Sequence, residues 1–398
     1  MLVKFLSHPA GRGLSLSLHA AYHRYVCLAE DVPPEELAAY FAHGEFDAAC
    51  IEASHTREAA ALCTRLDPTA ARSGAADTVL REKDGTVGYD TGYAAFLSAT
   101  HRAGLPLHGS HALLLGEDSP APAARIALRD AGAASVLSVP SAAAVTPKLP
   151  GISEVTLLVS TLPPAEAALI DLSLFPALGA VFDTVSLPFR TPLRQAAEAL
   201  GIASFGGVGL LAAQAEVASA LFTKRHPDPA LIPAQCRRAA EENSNIVLTG
   251  MPGCGKRTVG KKIAELLGKD FISVEDRLTE ELGVFPAAYA AQHGDDALRE
   301  AETRLLWRIG AERGLVIATR GETALSPENR LPLRQNGLIF LLLRAPGSAD
   351  DPDAGHLWRE RLPQYAAFCD ASVENNTTVR DCAHLIAEEA LRNCETLL

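Results

Sequence analysis

Residues 250–258 read Gly-Met-Pro-Gly-Cys-Gly-Lys-Arg-Thr and decide the fold of the second half of the chain. A short apolar run, residues 246–248, precedes this stretch, and residues 259–267 follow it with helical spacing. Glycines let a backbone curl so that its N–H groups face a phosphate, and a helix N-terminus adds positive potential. The lysine of the stretch, Lys256, would reach the terminal phosphates. The pattern predicts a strand, a phosphate-binding loop and a helix.

The residue after this lysine departs from the usual loop. A Ser or Thr is expected there because its hydroxyl holds Mg²⁺, whereas this chain has Arg257. Thr258 comes one residue late, and one residue turns a helical side chain by about 100°. The residues predicted to bind ATP phosphates are Gly250, Gly253, Gly255, Lys256 and Thr258. The pattern secures no metal site.

The composition describes a folded chain of more than one domain. Its 398 residues correspond to two or three domains of about 150 residues. Of these residues 48% are hydrophobic, a fraction typical of folded proteins. A net charge of −12 disfavours nucleic acid as a partner, because nucleic acid attracts cationic surfaces. No apolar run approaches the ~18 residues of a membrane span, and the first residues lack a signal-peptide core. The sequence has no CxxC or HExxH pattern, so it indicates no zinc site. We predict that the cysteines are free thiols and that the protein is cytoplasmic and does not bind membranes.

Short buried-strand patterns alternate with helical stretches in both halves, which indicates parallel α/β layers. The apolar runs lie at 112–115, 155–160, 179–182, 246–248, 315–318 and 338–343. Between the two sets, residues 226–244 carry three prolines and a polar end, which is typical of a linker. Two α/β units in tandem follow from this arrangement.

Residues 245–390 resemble shikimate kinase. Residues 258–260 match the Thr-Val-Gly after the family's loop, residues 298–302 resemble its Phe-Arg-x-x-Glu, and residues 361–365 match its Arg-x-Pro-x-Tyr. In that family both arginines bind the shikimate carboxylate, a task that suits the guanidinium fork. The residues that the resemblance assigns to shikimate are Arg299, Glu302 and Arg361.

The kinase-like half also departs from that family. The Asp-x-Asp of the family aligns with Ser273 and Glu275, and its Gly-Gly-Gly aligns with Arg-Gly-Glu at 320–322, which would crowd the substrate. The lid between residues 344 and 358 is short, and no arginine in it clearly matches the family's ATP-binding one. The resemblance implies that Lys256 and Glu275 are the catalytic residues, with Glu275 at the reacting hydroxyl.

Residues 1–223 resemble shikimate dehydrogenase. Residues 13–19 are similar to its Ser-x-Ser-Pro-x-x-His, residues 88–93 align with its Gly-x-Asn-Thr-Asp-Gly, and residues 205–215 match its closing segment. The resemblance implies a residual substrate site. Its residues are Ser15, Thr91 and Gln214.

The acid–base pair of that family is missing here. Gly92 stands where the catalytic Asp belongs, and Asp77 replaces an Asn. The catalytic Lys falls near Thr56 or Arg57, and neither residue is a lysine. Loss of such a pair costs about 10²–10⁴-fold in rate. We therefore predict that this half does not transfer hydride.

The cofactor loop is altered as well. Residues 116–118 read Gly-Glu-Asp, so only the first glycine of a dinucleotide loop remains and two acidic groups follow it. These charges would repel a pyrophosphate. Residues 139–141 read Val-Pro-Ser, where the family's Asn-Arg-Thr would grip the 2′-phosphate of NADP. We predict no use of NADP.

The fold predicted from these observations has two tandem α/β parts: a two-lobed, Rossmann-like, shikimate dehydrogenase-like part and a P-loop kinase-like parallel part. The predicted boundaries are 1–105 for the substrate lobe, 106–225 for the dinucleotide lobe with its return helix, 226–244 for the linker and 245–398 for the kinase-like domain.

Two functions are consistent with the sequence. In the first, the protein is an atypical shikimate kinase of aromatic amino acid biosynthesis, using ATP and shikimate, fused to an inactive dehydrogenase-like half. In the second, both halves are inactive, and the protein senses shikimate or nucleotide or acts as a scaffold in the pathway. The sequence leaves open a homodimer and a pathway-enzyme partner.

Overall fold

The computed structural model describes residues 1–8, 13–22, 24–228, 230–344 and 352–398, and for residues 352–358 it describes the backbone alone. The chain divides into two compact units. The first unit comprises Met1–Ala239 with Leu398, and the second comprises Ala240–Leu397. Within the described ranges, no helix has the length and apolar character needed to cross a bilayer.

The first unit begins with a lobe built on a mixed six-stranded sheet. Its strands are β1 (Leu2–Ser7), β2 (Val26–Asp31), β3 (Ala48–Ile51), β4 (Arg65–Leu66), β5 (Thr78–Glu82) and β6 (Gly85–Tyr89). Its helices are α1 (Leu14–Ala20), α2 (Leu37–His43), α3 (Thr56–Leu62), α4 (Pro68–Ser73) and α5 (Thr91–Arg102). The strand order is β2-β1-β3-β5-β6-β4. Only two residues separate β5 from β6, so this pair forms an antiparallel hairpin beside the parallel strands.

A second lobe of the first unit has a parallel five-stranded sheet in the order β11-β10-β9-β7-β8. Its strands are β7 (His111–Leu115), β8 (Ser135–Val139), β9 (Leu157–Ser160), β10 (Ala180–Asp183) and β11 (Ala203–Phe205). Its helices are α6 (Ala121–Asp130), α7 (Pro164–Ala167), α8 (Pro192–Ala199) and α9 (Val208–Thr223). Helix α9 packs against α1 and α5 and so closes the chain back onto the first lobe.

The second unit is a parallel five-stranded sheet in the order β13-β14-β12-β15-β16. Helix α10 (Leu231–Asn243) leads into it. The strands are β12 (Asn245–Thr249), β13 (Asp270–Ser273), β14 (Leu315–Ala318), β15 (Gly337–Leu343) and β16 (Ala371–Glu374). The helices are α11 (Lys256–Leu267), α12 (Val274–Leu282), α13 (Pro286–His293), α14 (Asp295–Ala311), α15 (Arg330–Arg334), α16 (Pro352–Phe368) and α17 (Val379–Asn393).

The centre of this sheet fixes the place of the phosphate loop. Strand β12 is buried along its whole length between β14 and β15, and the loop begins at its carboxyl end. The ends of β13 and β14 lie at the same edge because all five strands run parallel. Residues that follow these three strands therefore meet at one edge, where parallel α/β sheets bind their ligands.

The structure confirms the predicted α/β class and the six predicted strands, which appear as β7, β9, β10, β12, β14 and β15. Each is a fully or largely buried apolar run. The predicted helix at 259–267 begins earlier, at Lys256, because the loop glycine Gly255 already starts the first turn.

The segment predicted as a linker, residues 226–244, contains helix α10. Its prolines do not prevent this. Pro233 falls in the first turn, where a backbone N–H has no helical partner to lose, and the following Ala, Gln, Arg and Glu residues favour helix. The division between the two units, at Ala239 and Ala240, lies inside this helix.

Candidate functional site

The phosphate loop has a backbone conformation that only glycine adopts easily. Gly250, Gly253 and Gly255 have φ values of 138°, 77° and 100°. A Cβ at Gly250 would lie 2.7 Å from the Leu342 carbonyl oxygen. The Asn375 amide donates to the Cys254 carbonyl at 2.8 Å and so ties the loop to the end of β16. The loop is therefore held in one shape by its glycines and by a hydrogen bond from the residue that follows β16.

Lys256 lies inside the curve of this loop. Its ammonium group donates to the carbonyl oxygens of Gly250, at 2.6 Å, and Met251, at 2.9 Å. Burial lowers the pKa of Lys256. The backbone of the loop thus holds the ammonium group, and Lys256 also lines the cleft at this edge of the sheet.

A cleft of about 620 Å³ opens at this edge of the sheet. Its walls include most residues that the sequence assigned to phosphate and to the reacting hydroxyl. These are Gly253, Gly255, Lys256, Thr258 and Glu275. Both Thr258 and Glu275 are exposed.

Arg257 lines this cleft and has three oxygen partners. Its Nη2 lies 3.1 Å from Ser273 Oγ and 3.3 Å from Glu275 Oε2, and it also bonds the Asp276 carboxylate. The sequence did not point to Asp276, because it forms no motif and reaches Arg257 only through the turn that starts α12.

A magnesium ion does not fit this donor set. The hydroxyl expected after the lysine is a guanidinium, the Asp expected at the end of β13 is Ser273, and the remaining carboxylates already bind Arg257. In the described part of the chain no three His, Cys, Asp or Glu residues cluster as metal ligands. A cation here would have to displace another positive charge.

A second pocket, of about 510 Å³, brings together the three residues assigned to shikimate. Arg299 and Glu302 come from one face of α14, three residues apart, and Arg361 comes from α16. Arg299 is exposed and pairs with Asp296 on its own helix.

Glu302 is buried and lines this pocket. It accepts from Arg320 Nη1 at 2.9 Å and from the Thr323 hydroxyl. Burial raises the pKa of Glu302, while the Arg320 charge opposes that shift. The sequence predicted that residue 320 would crowd the substrate. It did not predict the ion pair, which joins residues from α14 and from the loop after β14.

Arg320 and Glu322 line both the phosphate cleft and this second pocket. Between them, the Gly321 carbonyl accepts from the buried Tyr365 hydroxyl, whose pKa burial raises to about 12. Arg344 also lines the phosphate cleft and was missed, although it directly follows β15 at the ligand-binding edge. In the predicted lid, residues 345–351 lie outside the described residues.

The first unit contains its own cleft, of about 410 Å³, and the three residues of the predicted residual site line it. Ser15 comes from α1, Thr91 from the first turn of α5 and Gln214 from α9. Asp77 lies between them. It accepts from the Thr91 N–H and hydroxyl, both at 2.9 Å, and from Gln214 at 3.4 Å.

Two carboxyl groups and a histidine in or beside this cleft have pKa values shifted from their usual range. Burial raises the pKa of Asp77, and burial together with the Asp77 charge raises the pKa of Asp90 to about 7. Burial lowers the pKa of His19 to about 3. The interaction of Asp90 with Asp77 was not predicted, because the two residues lie 13 positions apart and form no motif; Asp90 also serves as the N-cap of α5.

Thr56 and Arg57, the two positions near which the dehydrogenase family has its catalytic lysine, do not line this cleft. Thr56 is buried, and its hydroxyl donates to the Ala53 carbonyl. Arg57 instead reaches the altered cofactor loop, donating to the Glu117 carbonyl at 2.8 Å and lying 3.4 Å from Asp118.

The family profile for shikimate kinase matches residues 252–349. A shikimate kinase of Caldanaerobacter subterraneus subsp. tengcongensis is 32% identical over 166 residues, covering 37% of this chain and 94% of the relative. The chain belongs to the shikimate kinase family. A shikimate kinase of Caldicellulosiruptor bescii is 41% identical over 98 residues, covering 25% of this chain and 57% of that relative. The match thus spans little more than half of that kinase.

Several solved structures are similar to the other part of this shikimate kinase family member. Shikimate 5-dehydrogenase from Thermus thermophilus, in complex with NADP(H) and shikimate, is 28% identical with a TM-score of 0.51, covering 60% of this chain and 99% of that one. A chorismate mutase/shikimate 5-dehydrogenase fusion protein from Clostridium acetobutylicum shares the fold at 15% identity, with a TM-score of 0.52, covering 59% and 94%.

These comparisons confirm the predicted tandem arrangement: a dehydrogenase-like part followed by a shikimate kinase part. Membership in the kinase family implies ATP with Mg²⁺, although the residues at 257 and 273 do not fit the metal. The comparisons do not bear on the assigned site residues, which stay predictions.

Proposed function

We propose that the second unit is an atypical ATP-dependent shikimate kinase, acting in the cytoplasm in aromatic amino acid biosynthesis, and that the first unit does not transfer hydride. One observation carries the proposal. A phosphate loop and a two-arginine pocket open onto the same pair of residues, Arg320 and Glu322. A phosphate donor and a carboxylate-bearing acceptor would thus bind on either side of these residues.

Each residue has a role that its position supports. Lys256 and the loop N–H groups would hold the β- and γ-phosphates, since they face one cleft. Arg299 and Arg361 would bind the shikimate carboxylate, because each guanidinium offers two parallel donors. Glu275, exposed in the phosphate cleft, would accept the proton of the attacking hydroxyl.

Replacement of Lys256 by Ala tests the phosphate role. We expect wild-type protein to release ADP in a coupled assay with ATP and shikimate, and we expect K256A to lose at least about 100-fold of this rate, because the lysine stabilises charge on the transferred phosphoryl group. Lys262→Ala is the matched control. Lys262 lies on the same helix, and its side chain pairs with Glu265 on the next turn. If K256A released ADP at the wild-type rate, this result would contradict the proposal.

A second candidate is a protein that binds shikimate without turnover. Two features favour it: Arg257 fills the metal's place, and Arg320, which pairs with the buried Glu302, stands where the family has a glycine run. Calorimetry distinguishes the candidates. Shikimate binding without shikimate-dependent ADP release would establish the second candidate and overturn the first.

For the first unit, the missing acid–base pair supports the absence of hydride transfer. Gly92 carries no side chain where the family has its Asp, and Arg57 is directed to the loop at Glu117 rather than to the cleft. Ser15, Thr91 and Gln214 still form a polar cleft, which supports a retained ability to bind a small hydroxylated molecule.

A further inference from the structure

Arg257 brings a fixed positive charge to the place where the kinase family uses a metal ion. It is the second residue of α11, directly after Lys256, and it lines the phosphate cleft. The side chain is about half exposed, and it lines the cleft while it contacts its acceptors.

Three acceptors from α12 and the end of β13 set the orientation of this guanidinium. Ser273 Oγ lies 3.1 Å from Nη2, Glu275 Oε2 lies 3.3 Å away, and the Asp276 carboxylate completes the set. All three contacts use the same nitrogen, which leaves the other N–H groups of the planar fork for a ligand. Arginine forks bind phosphate oxygens in pairs.

The substitutions at 257 and 273 act in the same direction. Arg257 replaces a hydroxyl ligand of the metal with a cation, and Ser273 replaces a carboxylate of its shell with a neutral group that accepts from that cation. Either change alone would weaken a magnesium site. Together they form an internally bonded arrangement in which a guanidinium, itself bound by the Glu275 and Asp276 carboxylates, stands in the place of the metal.

We propose that Arg257 replaces the divalent cation at the terminal phosphates, so that this site binds metal-free nucleoside di- and triphosphates. The inference rests on the proposed function only for the presence of a nucleotide in the phosphate loop. It does not require phosphoryl transfer. Lys256 and Arg257 then offer two adjacent cations to an ATP whose charge no metal has reduced.

Calorimetric titration of the full chain with ADP and with ATP, in excess Mg²⁺ and in excess EDTA, tests this inference. For wild-type protein we expect affinity in EDTA equal to or a few-fold tighter than in Mg²⁺. Arg257→Ser should weaken metal-free binding by about tenfold or more, because it removes a charge-assisted contact. The double variant Arg257→Ser/Ser273→Asp, which restores the family's ligands, should bind about tenfold more tightly with Mg²⁺ than without.

Two further variants separate the role of Arg257 from general effects of charge and folding. Arg257→Lys keeps the charge but loses the fork, and should retain part of the metal-free affinity. Lys262→Ser removes a positive charge from the same helix, away from the cleft. It should change the nucleotide affinity neither in Mg²⁺ nor in EDTA. Far-UV circular dichroism of each variant checks that it is folded.

Several results would overturn the inference. Wild-type binding that is at least about tenfold weaker in EDTA would show that the metal is required. Equal metal-free binding by a folded Arg257→Ser would remove Arg257 from the site, and no nucleotide binding under either condition would overturn the inference as a whole. Metal-free binding with no shikimate-dependent ADP release would leave it standing and reject the kinase proposal alone.

Discussion

Asp90 holds its proton at a pH where most aspartates are ionised. Burial and the neighbouring Asp77 raise its pKa from 3.8 to about 7 in the folded chain. Between these values the folded state binds more protons than the unfolded state. The contribution of Asp90 to stability is therefore present below pH 4 and is lost as the pH rises toward 7.

Replacement of Asp90 by Asn should remove this loss. We expect the free energy of unfolding of the first unit in D90N, relative to wild type, to increase between about pH 4.5 and 8, by an amount on the order of 1–3 kcal/mol. The amide can still cap α5 through its oxygen, as Asp90 does toward the Gly92 N–H. Hydrogen exchange of peptides from β5, β6 and α5, measured across this range, reports the difference.

Asp171→Asn provides the opposite control. Asp171 is an exposed cap in the same unit, and its hydrogen bond to Ser173 lowers its pKa. Its replacement should not give stability that grows with pH. A D90N difference that is constant across the range would contradict the raised pKa of Asp90.

At the scale of the element, the turn from β12 into α11 depends on its glycines. Gly255 has a φ of 100°, and a Cβ there would lie 2.7 Å from the Asn375 amide nitrogen. Gly255→Ala should therefore distort the loop and weaken ADP binding by more than about tenfold, because the loop N–H groups lose their common direction. Calorimetric titration with ADP measures this loss.

The other end of the same helix supplies a matched variant. Gly268 also has positive φ, 63°, but nothing lies within 4 Å of a Cβ added there. Gly268→Ala should cost about 1 kcal/mol of stability and leave ADP affinity unchanged. Similar ADP affinities for the two alanine variants would contradict a role of loop shape in phosphate binding.

At the scale of the whole molecule, each of the two α/β parts has a loop after an interior strand of its parallel sheet, β7 or β12, and the two loops differ in charge. In the first unit Gly116 is followed by the exposed Glu117 and Asp118, beside Arg57. We expect calorimetry to find one adenine-nucleotide site per chain and no NADP binding, because these carboxylates repel a pyrophosphate. An NADP titration with measurable heat would contradict this. Glu117→Ala/Asp118→Ala tests whether charge is the cause.

The sequence predicted the parts of the molecule that depend on local patterns. Strands such as β14, at Leu315–Ala318, are continuous apolar runs, and such runs are typical of buried parallel strands when helices flank them. The phosphate loop was predictable because its glycines and Lys256 lie within a few residues of each other. The hairpin β5–β6 was not predicted, since its strands are only partly apolar.

The ion pairs of the candidate site could not be predicted in this way. Arg257 meets Asp276 across 19 positions, and Arg320 meets Glu302 across 18. Each contact depends on which strands are neighbours in the sheet and on the direction of the following helix. A single sequence shows that these charged residues replace family residues. It does not show that they form bonds with one another.

The Arg320–Glu302 pair has a consequence for thermodynamics. Because Arg320 and Glu322 face both the phosphate cleft and the adjoining pocket, any ligand that draws Arg320 toward itself changes the charge presented to the other ligand. Linkage then requires reciprocity: the factor by which one ligand alters the affinity of the second equals the factor by which the second alters the first. A single shared guanidinium can in this way make two binding equilibria cooperative or antagonistic.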